Sequence, residues 1–135
     1  VQVVLPNDAN PLGYILGGTV MHLIDIAGAI ASYRHTRQRV VTAAVDGLQF
    51  LHPIKVGDLI ILNARVTATF RTSLEVEVRV MSETSLTGER TLTSHAYLTF
   101  VAIDADGRRV EIPDLVLESD EERARAAEAE ARRQQ

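Results

Sequence analysis

One carboxylate, Asp25, stands in the middle of a long apolar segment that runs from Gly17 to about Thr36. Apolar side chains occupy almost every side of the helix that this segment would form, and such a helix is normally buried. An ionised carboxylate in an apolar interior is costly unless it is paired or hydrogen-bonded. Asp25 is therefore predicted to be catalytic, and the alternative is a structural carboxylate held by Arg34 or by a neighbouring strand.

The start of the same helix offers hydrogen-bond donors. Gly17 and Gly18 allow another molecule to approach the backbone closely, and the first N–H groups of a helix have no partner within it. Such groups bind anions and carbonyl oxygens, and the helix dipole strengthens them. The backbone N–H groups around Gly18 and Thr19 are therefore predicted to be oxyanion donors. The preceding loop, Pro6 to Gly13, consists mostly of turn-forming residues, among them Asn10.

His22 lies three residues before Asp25 and falls on the same helical stripe as Ser32 and Thr36. An Asp–His dyad would suit proton transfer in a hydratase or dehydratase. A histidine on a mostly apolar helix is more often a hydrogen-bonded packing residue, so direct catalysis by His22 is the less favoured interpretation. No metal site is predicted, because metal-ligand spacing is lacking among the other three histidines, His35, His52 and His95.

The elements that must position these groups are strands. Val40 to His52 mixes polar and apolar residues on both faces, which suits a strand covered on both sides or one at a subunit interface. Clean alternation follows from Leu59 to Phe70, from Ser73 to Val80 and from Leu92 to Ala102. A short β-rich run at Val1 to Leu5 precedes the loop. The three alternating strands predict an antiparallel meander with one face on a core, which the buried helix would fill.

One long buried helix wrapped by an antiparallel sheet of five or six strands is the hot-dog architecture, which belongs to the α+β class. A chain of 135 residues fits one domain, and we assign it to residues 1–117. Residues 118–135 form a charged tail in which Ser119 and Glu122 make a capping box that opens a helix rich in Ala, Glu and Arg. That helix has no broad apolar face, so we expect it to be solvated and partly frayed.

Two short segments join the last strand to this tail. Asp104 to Gly107 resembles a fragment of a calcium loop but lacks the remaining ligand positions, so it predicts a plain turn. Val110 to Leu117 is apolar and broken by a proline. It is expected either to add a short edge strand or to lie across the domain.

The overall composition argues against several classes of protein. The chain is 46% hydrophobic with no apolar run near the roughly 20 residues of a membrane span. A net charge of −4 argues against a nucleic-acid partner. The lack of cysteine excludes disulfides, thiolate metal sites and a cysteine nucleophile. No secretory leader pattern opens the sequence, so a cytoplasmic location is the expectation.

The loop and the helix together resemble the hot-dog acyl-CoA thioesterases, a family that includes bacterial and brain-type acyl-CoA hydrolases. The matching residues of this part are Pro6, Asp8, Asn10, Gly13, Gly17, Gly18 and Asp25. The resemblance extends over about residues 1–105, through Arg34, His35, residues 40–42, Phe50, Pro53, Gly57, Asp58, residues 71–73 and residues 96–101. Leu16 departs from the pattern, since many members carry an aromatic residue there.

This resemblance implies an enzyme that hydrolyses an acyl-CoA to a free carboxylic acid and coenzyme A, without a cofactor or a metal. It implies that Asp25 is the general base for water or the nucleophile, and that Asn10 positions the water or the substrate. It also implies a homodimer in which Asn10 and Asp25 of one site come from different subunits, with dimers often grouped into tetramers or hexamers.

The resemblance further implies a coenzyme-binding segment at Arg71, Thr72 and Ser73, with Gly17 beside the substrate. A guanidinium and two hydroxyls suit the phosphates of coenzyme A. The alternative, weighed about equally, is a turn between strands with an ordinary surface arginine.

Two rival functions remain open on the sequence. One is a hot-dog enoyl-CoA hydratase or dehydratase that uses His22 and Asp25. The other is a non-catalytic acyl-CoA-binding module, although no basic helix-turn-helix segment precedes the motif. Acyl-chain length is not fixed by the sequence, because it depends on packing around Leu16, Leu23 and Phe50.

Overall fold

The computed structural model describes residues 1–133, apart from the side chain of Asp8. The elements, in chain order, are β1 (Gln2–Val3), a 3₁₀ turn (Pro6–Asp8), α1 (Gly17–Thr36), β2 (Arg39–Phe50), β3 (Leu59–Thr69), β4 (Ser73–Glu83), β5 (Arg90–Ile103) and α2 (Asp120–Arg133). Among the described residues, neither helix is long and apolar enough to cross a bilayer.

The strands form one five-stranded antiparallel sheet in the order β1-β3-β4-β5-β2. The sheet packs against α1 through side chains of β4 and β5 that have almost no exposed surface, among them Leu74, Val78 and Phe100. The hot-dog architecture predicted from the sequence is confirmed. The alternation of residues in β3, β4 and β5 supplies the inner face on which α1 lies. In β3 the predicted alternation is wrong beyond Val66, because a register shift there pairs Ala68 with Glu75 of the outer face.

The buried side of α1 is a stripe with a spacing of four residues, consisting of Val20, Ile24, Gly28, Ser32 and Thr36. Ser32 Oγ donates to the Gly28 carbonyl at 2.9 Å, and Thr36 Oγ1 donates to the Ser32 carbonyl at 2.9 Å. Both hydroxyls are therefore satisfied within the helix, as is common for such residues in a helix interior. The prediction that His22, Asp25, Ser32 and Thr36 share one polar stripe is wrong, because Ser32 and Thr36 lie on the buried side of α1 whereas His22 is exposed.

Gly28 has a packing role at the centre of this stripe. A Cβ atom at this position would lie 2.9 Å from Phe100 Cε2, which is closer than real Cβ contacts allow. The glycine lets the helix backbone approach the β5 side chain directly.

The opposite side of α1 is exposed in the single chain. Met21, Ile26, Ile30 and Tyr33 keep between 42% and 46% of their surface. The expectation of a helix buried on almost every side is therefore wrong for one chain. The sequence is apolar on both sides of α1 although the sheet covers only one, which leaves an apolar helix face for another surface to cover.

The outer face of β4 differs from the half-buried strand that the sequence predicts. Glu75 and Glu77 keep only 5% and 7% of their surface. Glu75 lies under α2, where Arg132 reaches it, and Glu77 lies against Arg65 and His95. The alternation of residues along β4 does not predict the burial of Glu75 and Glu77, because the residues that cover them come from other parts of the chain.

The tail helix α2 packs on the sheet. Ala129 keeps 1% of its surface, and the guanidinium groups of Arg132 and Arg133 lie over the rings of Tyr97 and Phe70 at 3.6 and 4.0 Å. The expectation of a solvated, partly frayed helix is wrong, because small alanines and long arginine stems supply the contact that a broad apolar face would give.

The start of α2 follows the sequence, since the Glu122 N–H donates to Ser119 Oγ at 3.1 Å in the predicted capping box. Residues 110–117 lie across the domain without forming a strand. The Ile112 N–H donates to the Arg71 carbonyl, and the Leu115 N–H donates to Thr69 Oγ1.

Candidate active site

Asp25 lines a cavity of about 350 Å³ between α1 and β2. Its side chain is half-buried rather than enclosed in the core. Thr42 Oγ1, on β2, donates to Asp25 Oδ1 at 2.6 Å. The other lining residues are Gly18, Met21, His22, Ile24, Val45, Leu48 and Leu98. The carboxylate thus faces a mostly apolar cavity with one oxygen fixed by a hydroxyl and the other without a described partner.

Thr42 is the residue that sequence reasoning missed. It lies on a strand 17 residues beyond Asp25, and it pairs across the sheet with Phe100, whose ring packs against Gly28 of α1. Because successive side chains of a strand alternate between faces, this register directs Thr42 toward α1. The only signal in the sequence was its place inside a resembling segment, which gives no partner for it.

Gly18 lies at the start of α1, seven residues before Asp25. Seven residues are about two helical turns, so both positions share one face and are separated by roughly 10 Å along the axis. The side chain of Asp25 points back toward the helix N-terminus. This explains why both residues line the same cavity.

The first turn of α1 is uncapped by any side chain, and no acidic residue lies in it. The Thr19 N–H already donates to the Leu16 carbonyl at 3.0 Å. The Thr19 N–H is therefore engaged within the helix, and its role as an oxyanion donor stays a prediction. The N–H groups of Gly17 and Gly18 have no hydrogen-bond partner among the described residues. These two groups are therefore the donors at the helix start that remain available to an oxyanion.

Gly17 and Gly18 face different cavities. Gly17 lines a second cavity of about 320 Å³ together with Phe50, Ile54 and Ser94. A Cβ at Gly17 would meet Phe50 Cζ at 3.8 Å, and one at Gly18 would meet nothing within 4 Å. The helix start therefore stands between two cavities.

Asn10 organises its own loop. Its Oδ1 accepts hydrogen bonds from the N–H groups of Leu12 and Tyr14 at 3.0 and 3.2 Å. With the oxygen engaged, the amide nitrogen is the group left to bind a ligand, since it has no partner among the described side chains. Asn10 does not line the cavity of Asp25, so one chain does not bring these two predicted residues together.

Three of the four histidines, His22, His35 and His95, form no hydrogen bond with Asp25 or Thr42. His22 is exposed and lines the cavity, but it forms no hydrogen bond with Asp25. His35 Nε2 lies 2.8 Å from the Pro113 carbonyl, and His95 Nε2 lies 3.1 Å from Glu77 Oε2. Within residues 1–133, no group of three ionisable side chains is placed to hold a metal ion.

The predicted coenzyme-binding triplet is divided by the fold. Arg71 is exposed and forms an ion pair with Glu111 at 3.0 Å. Thr72 and Ser73 instead line a cavity under α2 on the outer face of the sheet. The three residues adjoin in sequence but do not face one ligand position in a single chain.

The chain is similar to several known proteins. The family model described as the thioesterase superfamily matches residues 12–89. The uncharacterized acyl-CoA thioester hydrolase YkhA of Bacillus subtilis is 41% identical over 88% of this chain and 69% of its own length. The human cytosolic acyl coenzyme A thioester hydrolase is 32% identical over 98% of this chain, which spans only 35% of that protein.

Solved structures agree with the sequence matches. A crystal structure of an apo-hexameric acyl-CoA thioesterase superposes with a TM-score of 0.93 at 43% identity, over 98% of this chain and 85% of that one. A Staphylococcus aureus acyl-CoA hydrolase, solved with butyryl coenzyme A and coenzyme A, superposes at 0.89 with 34% identity, over 98% and 81% of the two chains.

Three further structures of the Staphylococcus aureus hydrolase carry alanine substitutions of an asparagine, an aspartate and a threonine. Along that chain the aspartate follows the asparagine by 15 residues, and the threonine follows the aspartate by 17. Asn10, Asp25 and Thr42 have the same residue types in the same order, with the same two spacings.

Proposed function

Because this chain belongs to the thioesterase superfamily and is an acyl-CoA thioester hydrolase, we propose that Asp25 carries the reaction, with Thr42 orienting its carboxylate and the Gly18 N–H binding the oxyanion. The observation that carries this proposal is the 2.6 Å hydrogen bond from Thr42 Oγ1 to Asp25 Oδ1 inside the α1–β2 cavity. It holds the one carboxylate of α1 in place while leaving Oδ2 available.

The chemistry follows from these positions. Oδ2 of Asp25 takes a proton from water as the water oxygen bonds to the thioester carbon, and the carbonyl oxygen becomes negative. The Gly18 N–H stabilises that charge in a low-dielectric cavity. The negative oxygen then re-forms the carbonyl as the C–S bond breaks, protonated Asp25 returns its proton to the leaving thiolate of coenzyme A, and the carboxylic acid remains. Attack by Asp25 itself, through a mixed anhydride, is the alternative route. Neither route uses a metal or a cofactor.

Asn10 enters this proposal from a second subunit of a homodimer. Three observations support it. Asn10 lies outside the cavity of Asp25 in its own chain. The sheet ends at β2, where Val41 and Val45 keep 47% and 41% of their surface, and such an edge invites pairing with another strand. Three related thioesterases are hexameric in their solved structures. We also propose a cytosolic location, since the human relative is named as cytosolic.

The first experiment measures thiol release from acyl-CoAs of several chain lengths. A thiol-reactive dye detects only product, because the chain has no cysteine. Asp25→Asn should lower kcat by a factor of about 10² to 10⁴. Thr42→Val should lower kcat markedly, whereas Thr42→Ser keeps the hydroxyl and should retain most activity. Full activity of Asp25→Asn would refute the proposed role, and equal loss in both Thr42 variants would mean that packing matters rather than the hydroxyl.

The second experiment tests the shared site. Asn10→Ala and Asp25→Asn proteins, each inactive, are mixed under conditions in which subunits exchange. If each site takes Asn10 and Asp25 from different chains, hybrid dimers contain one intact site and activity returns. No recovery after confirmed exchange would contradict the shared site while leaving the activity itself untouched.

A further inference from the structure

The cavity beside Gly17 is mostly apolar and has one hydroxyl in its wall. It has a volume of about 320 Å³, enough for roughly ten groups of about 30 Å³, the size of a water molecule. The one hydroxyl among the described lining residues belongs to Ser94, and the one ionisable side chain belongs to His52, which is exposed. Its apolar lining residues are Ile15, Val20, Phe50, Leu51, Pro53 and Ile54. Such a cavity suits a hydrocarbon chain that carries a polar atom at one position.

Ser94 is buried without a hydrogen-bond partner for its side chain. The residue keeps 1% of its surface, and its hydroxyl bonds to no described residue. Wholly enclosed side-chain oxygens of the described residues all have partners, so the Ser94 oxygen keeps some surface open to the cavity that it lines. The other buried serines and threonines of the described chain all take part in side-chain hydrogen bonds, and they are Ser32, Thr36, Thr67, Ser73 and Thr93. A buried hydroxyl without a partner is costly, and a bound polar group would offset that cost.

The strand register places Ser94 on the face of the sheet that carries α1. Ser94 lies directly opposite Phe50 of β2 and Val80 of β4, and side chains at directly opposed positions share one face. Val80 is completely buried, and the Phe50 ring lies 3.8 Å from the position that a Cβ of Gly17 would take. The Ser94 hydroxyl and the Gly17 N–H, which also lacks a described partner, therefore belong to one cavity at the start of α1.

We propose that this cavity holds the acyl chain, and that Ser94 and the Gly17 N–H select acyl-CoAs that carry an oxygen on carbon 3, as a hydroxyl or a ketone. This inference rests on the proposed function, in which the Gly18 N–H binds the thioester oxygen. The Cα atoms of Gly17 and Gly18 are about 3.8 Å apart, close to the separation of two oxygens on carbons 1 and 3 of one chain. A thioester carbonyl at Gly18 therefore brings the second oxygen beside Gly17 and Ser94. The N–H donates to that oxygen, and the serine hydroxyl donates to a ketone or accepts from a hydroxyl.

Kinetics with three matched substrates test this selectivity. Hexanoyl-CoA, 3-hydroxyhexanoyl-CoA and 3-oxohexanoyl-CoA share one chain length and one coenzyme, and thiol release reports the turnover of each. The measured quantity is kcat/KM for a 3-oxygenated substrate divided by kcat/KM for hexanoyl-CoA. Comparing this ratio between variants cancels the intrinsic reactivity of the thioesters and any loss of folded protein. The hydroxyl and ketone substrates distinguish whether Ser94 accepts a proton or donates one.

Ser94→Ala should lower this ratio about tenfold for at least one of the 3-oxygenated substrates. The hydrogen bond to the substrate oxygen is lost, and the plain chain of hexanoyl-CoA no longer faces an unpaired hydroxyl. Ser32→Ala is the matched control, because it removes an equally buried hydroxyl that bonds within α1 and lines neither cavity. Its ratio should equal that of the wild-type protein. Circular dichroism confirms that each variant folds.

Several results would overturn the inference. Wild-type protein that hydrolyses hexanoyl-CoA but neither 3-oxygenated substrate would do so. An unchanged ratio in Ser94→Ala would do so as well, and an equal loss for all three substrates would mean that Ser94 contacts the coenzyme they share. A ratio that falls as much in Ser32→Ala would mean that packing matters rather than the Ser94 hydroxyl.

Failure of the proposed function gives a different result, since the wild-type protein would then release no thiol from any of the three substrates. Calorimetry on the full chain then tests the inference by itself, with hexanoyl-CoA and 3-hydroxyhexanoyl-CoA as probes. The ratio of their Kd values should favour 3-hydroxyhexanoyl-CoA in the wild-type protein and change about tenfold in Ser94→Ala. The same ratio in both proteins, or no binding of either probe, would overturn the inference.

Discussion

Replacing Arg132 with alanine tests whether α2 belongs to the cooperative folding unit. Arg132 donates to both carboxylate oxygens of Glu75 and lies 3.6 Å from the centre of the Tyr97 ring. Glu75 keeps 5% of its surface, and its other described side-chain donor is Thr67, at 2.6 Å. The substitution therefore leaves a buried carboxylate with one hydroxyl to support its charge.

The size of the effect follows from burial. Removing one partner of a fully buried ion pair costs about 3–5 kcal/mol, and a partly exposed cation–π contact adds about 0.5–2 kcal/mol. The Arg132 side chain is 22% exposed, and water can reach Glu75 once the arginine is gone. We therefore expect Arg132→Ala to lower the free energy of unfolding by about 2–4 kcal/mol, against about 0–1 kcal/mol for a surface ion pair.

Urea unfolding followed by circular dichroism measures this difference, at one protein concentration because an oligomer's stability depends on it. Arg123→Ala, which breaks the exposed pair with Asp120, is the control. In a double-mutant cycle, Glu75→Gln should recover part of the loss, because the neutral amide needs no cation. A loss below about 1 kcal/mol for Arg132→Ala, or strict additivity with Glu75→Gln, would mean that the pair behaves as a surface pair and that α2 is a dispensable tail.

Three further predictions concern packing, pH and mechanism. Gly28→Ala forces a Cβ to 2.9 Å from Phe100. The overpacking costs about 1–3 kcal/mol and the better helix propensity of alanine offsets up to about 1 kcal/mol of it, so the thermal midpoint of unfolding should fall. Gly18→Ala is the control, because the space around Gly18 is open and its thermal midpoint should not fall. Burial raises the pKa of Glu77, but hydrogen bonds from His95 and Arg65 outweigh it and hold that pKa below its ordinary 4.5. The stability that ionised Glu77 supplies should therefore be complete above pH 4.5 and be lost as the pH falls further. Unfolding measurements should show that the difference in unfolding free energy between wild type and Glu77→Gln shrinks below pH 4.5. A difference that stays constant with pH would contradict this prediction. A single turnover in ¹⁸O-labelled water should place the label in the product acid if Asp25 is a general base, and label found on Asp25 would show that it is the nucleophile.

Sequence patterns predicted the elements well where local spacing decides them. The predicted helix over residues 17–36 is α1, because glycines mark its start and apolar residues continue through it. The alternation from Leu59 and from Leu92 marks β3 and β5 for the same reason. The capping box at Ser119 likewise depends on groups three residues apart. Each of these features arises from neighbours in the chain, and a sequence shows neighbours directly.

The sequence failed where burial depends on distant segments. Glu75 and Glu77 alternate with valines as solvent-facing residues do, but α2 and neighbouring strands cover them. The composition of α2 resembles that of a solvated helix, yet Arg132 is 57 residues from the carboxylate that holds it. Ion pairs over such separations leave no periodic signal.

The sequence by itself determined that a lone carboxylate lies in an apolar helix behind a loop and a pair of glycines. Together with the alternating strands this pattern predicted the fold, and the resemblance to a known family implied the class of chemistry. The tertiary structure decided which groups surround that carboxylate. It placed Thr42 at 2.6 Å from Asp25, used the Thr19 N–H within the helix, and kept Asn10 out of the same chain's cavity. The physical reason is that helix and strand periodicity are local properties, whereas hydrogen-bond partners across the core depend on the register of strands far apart in the chain.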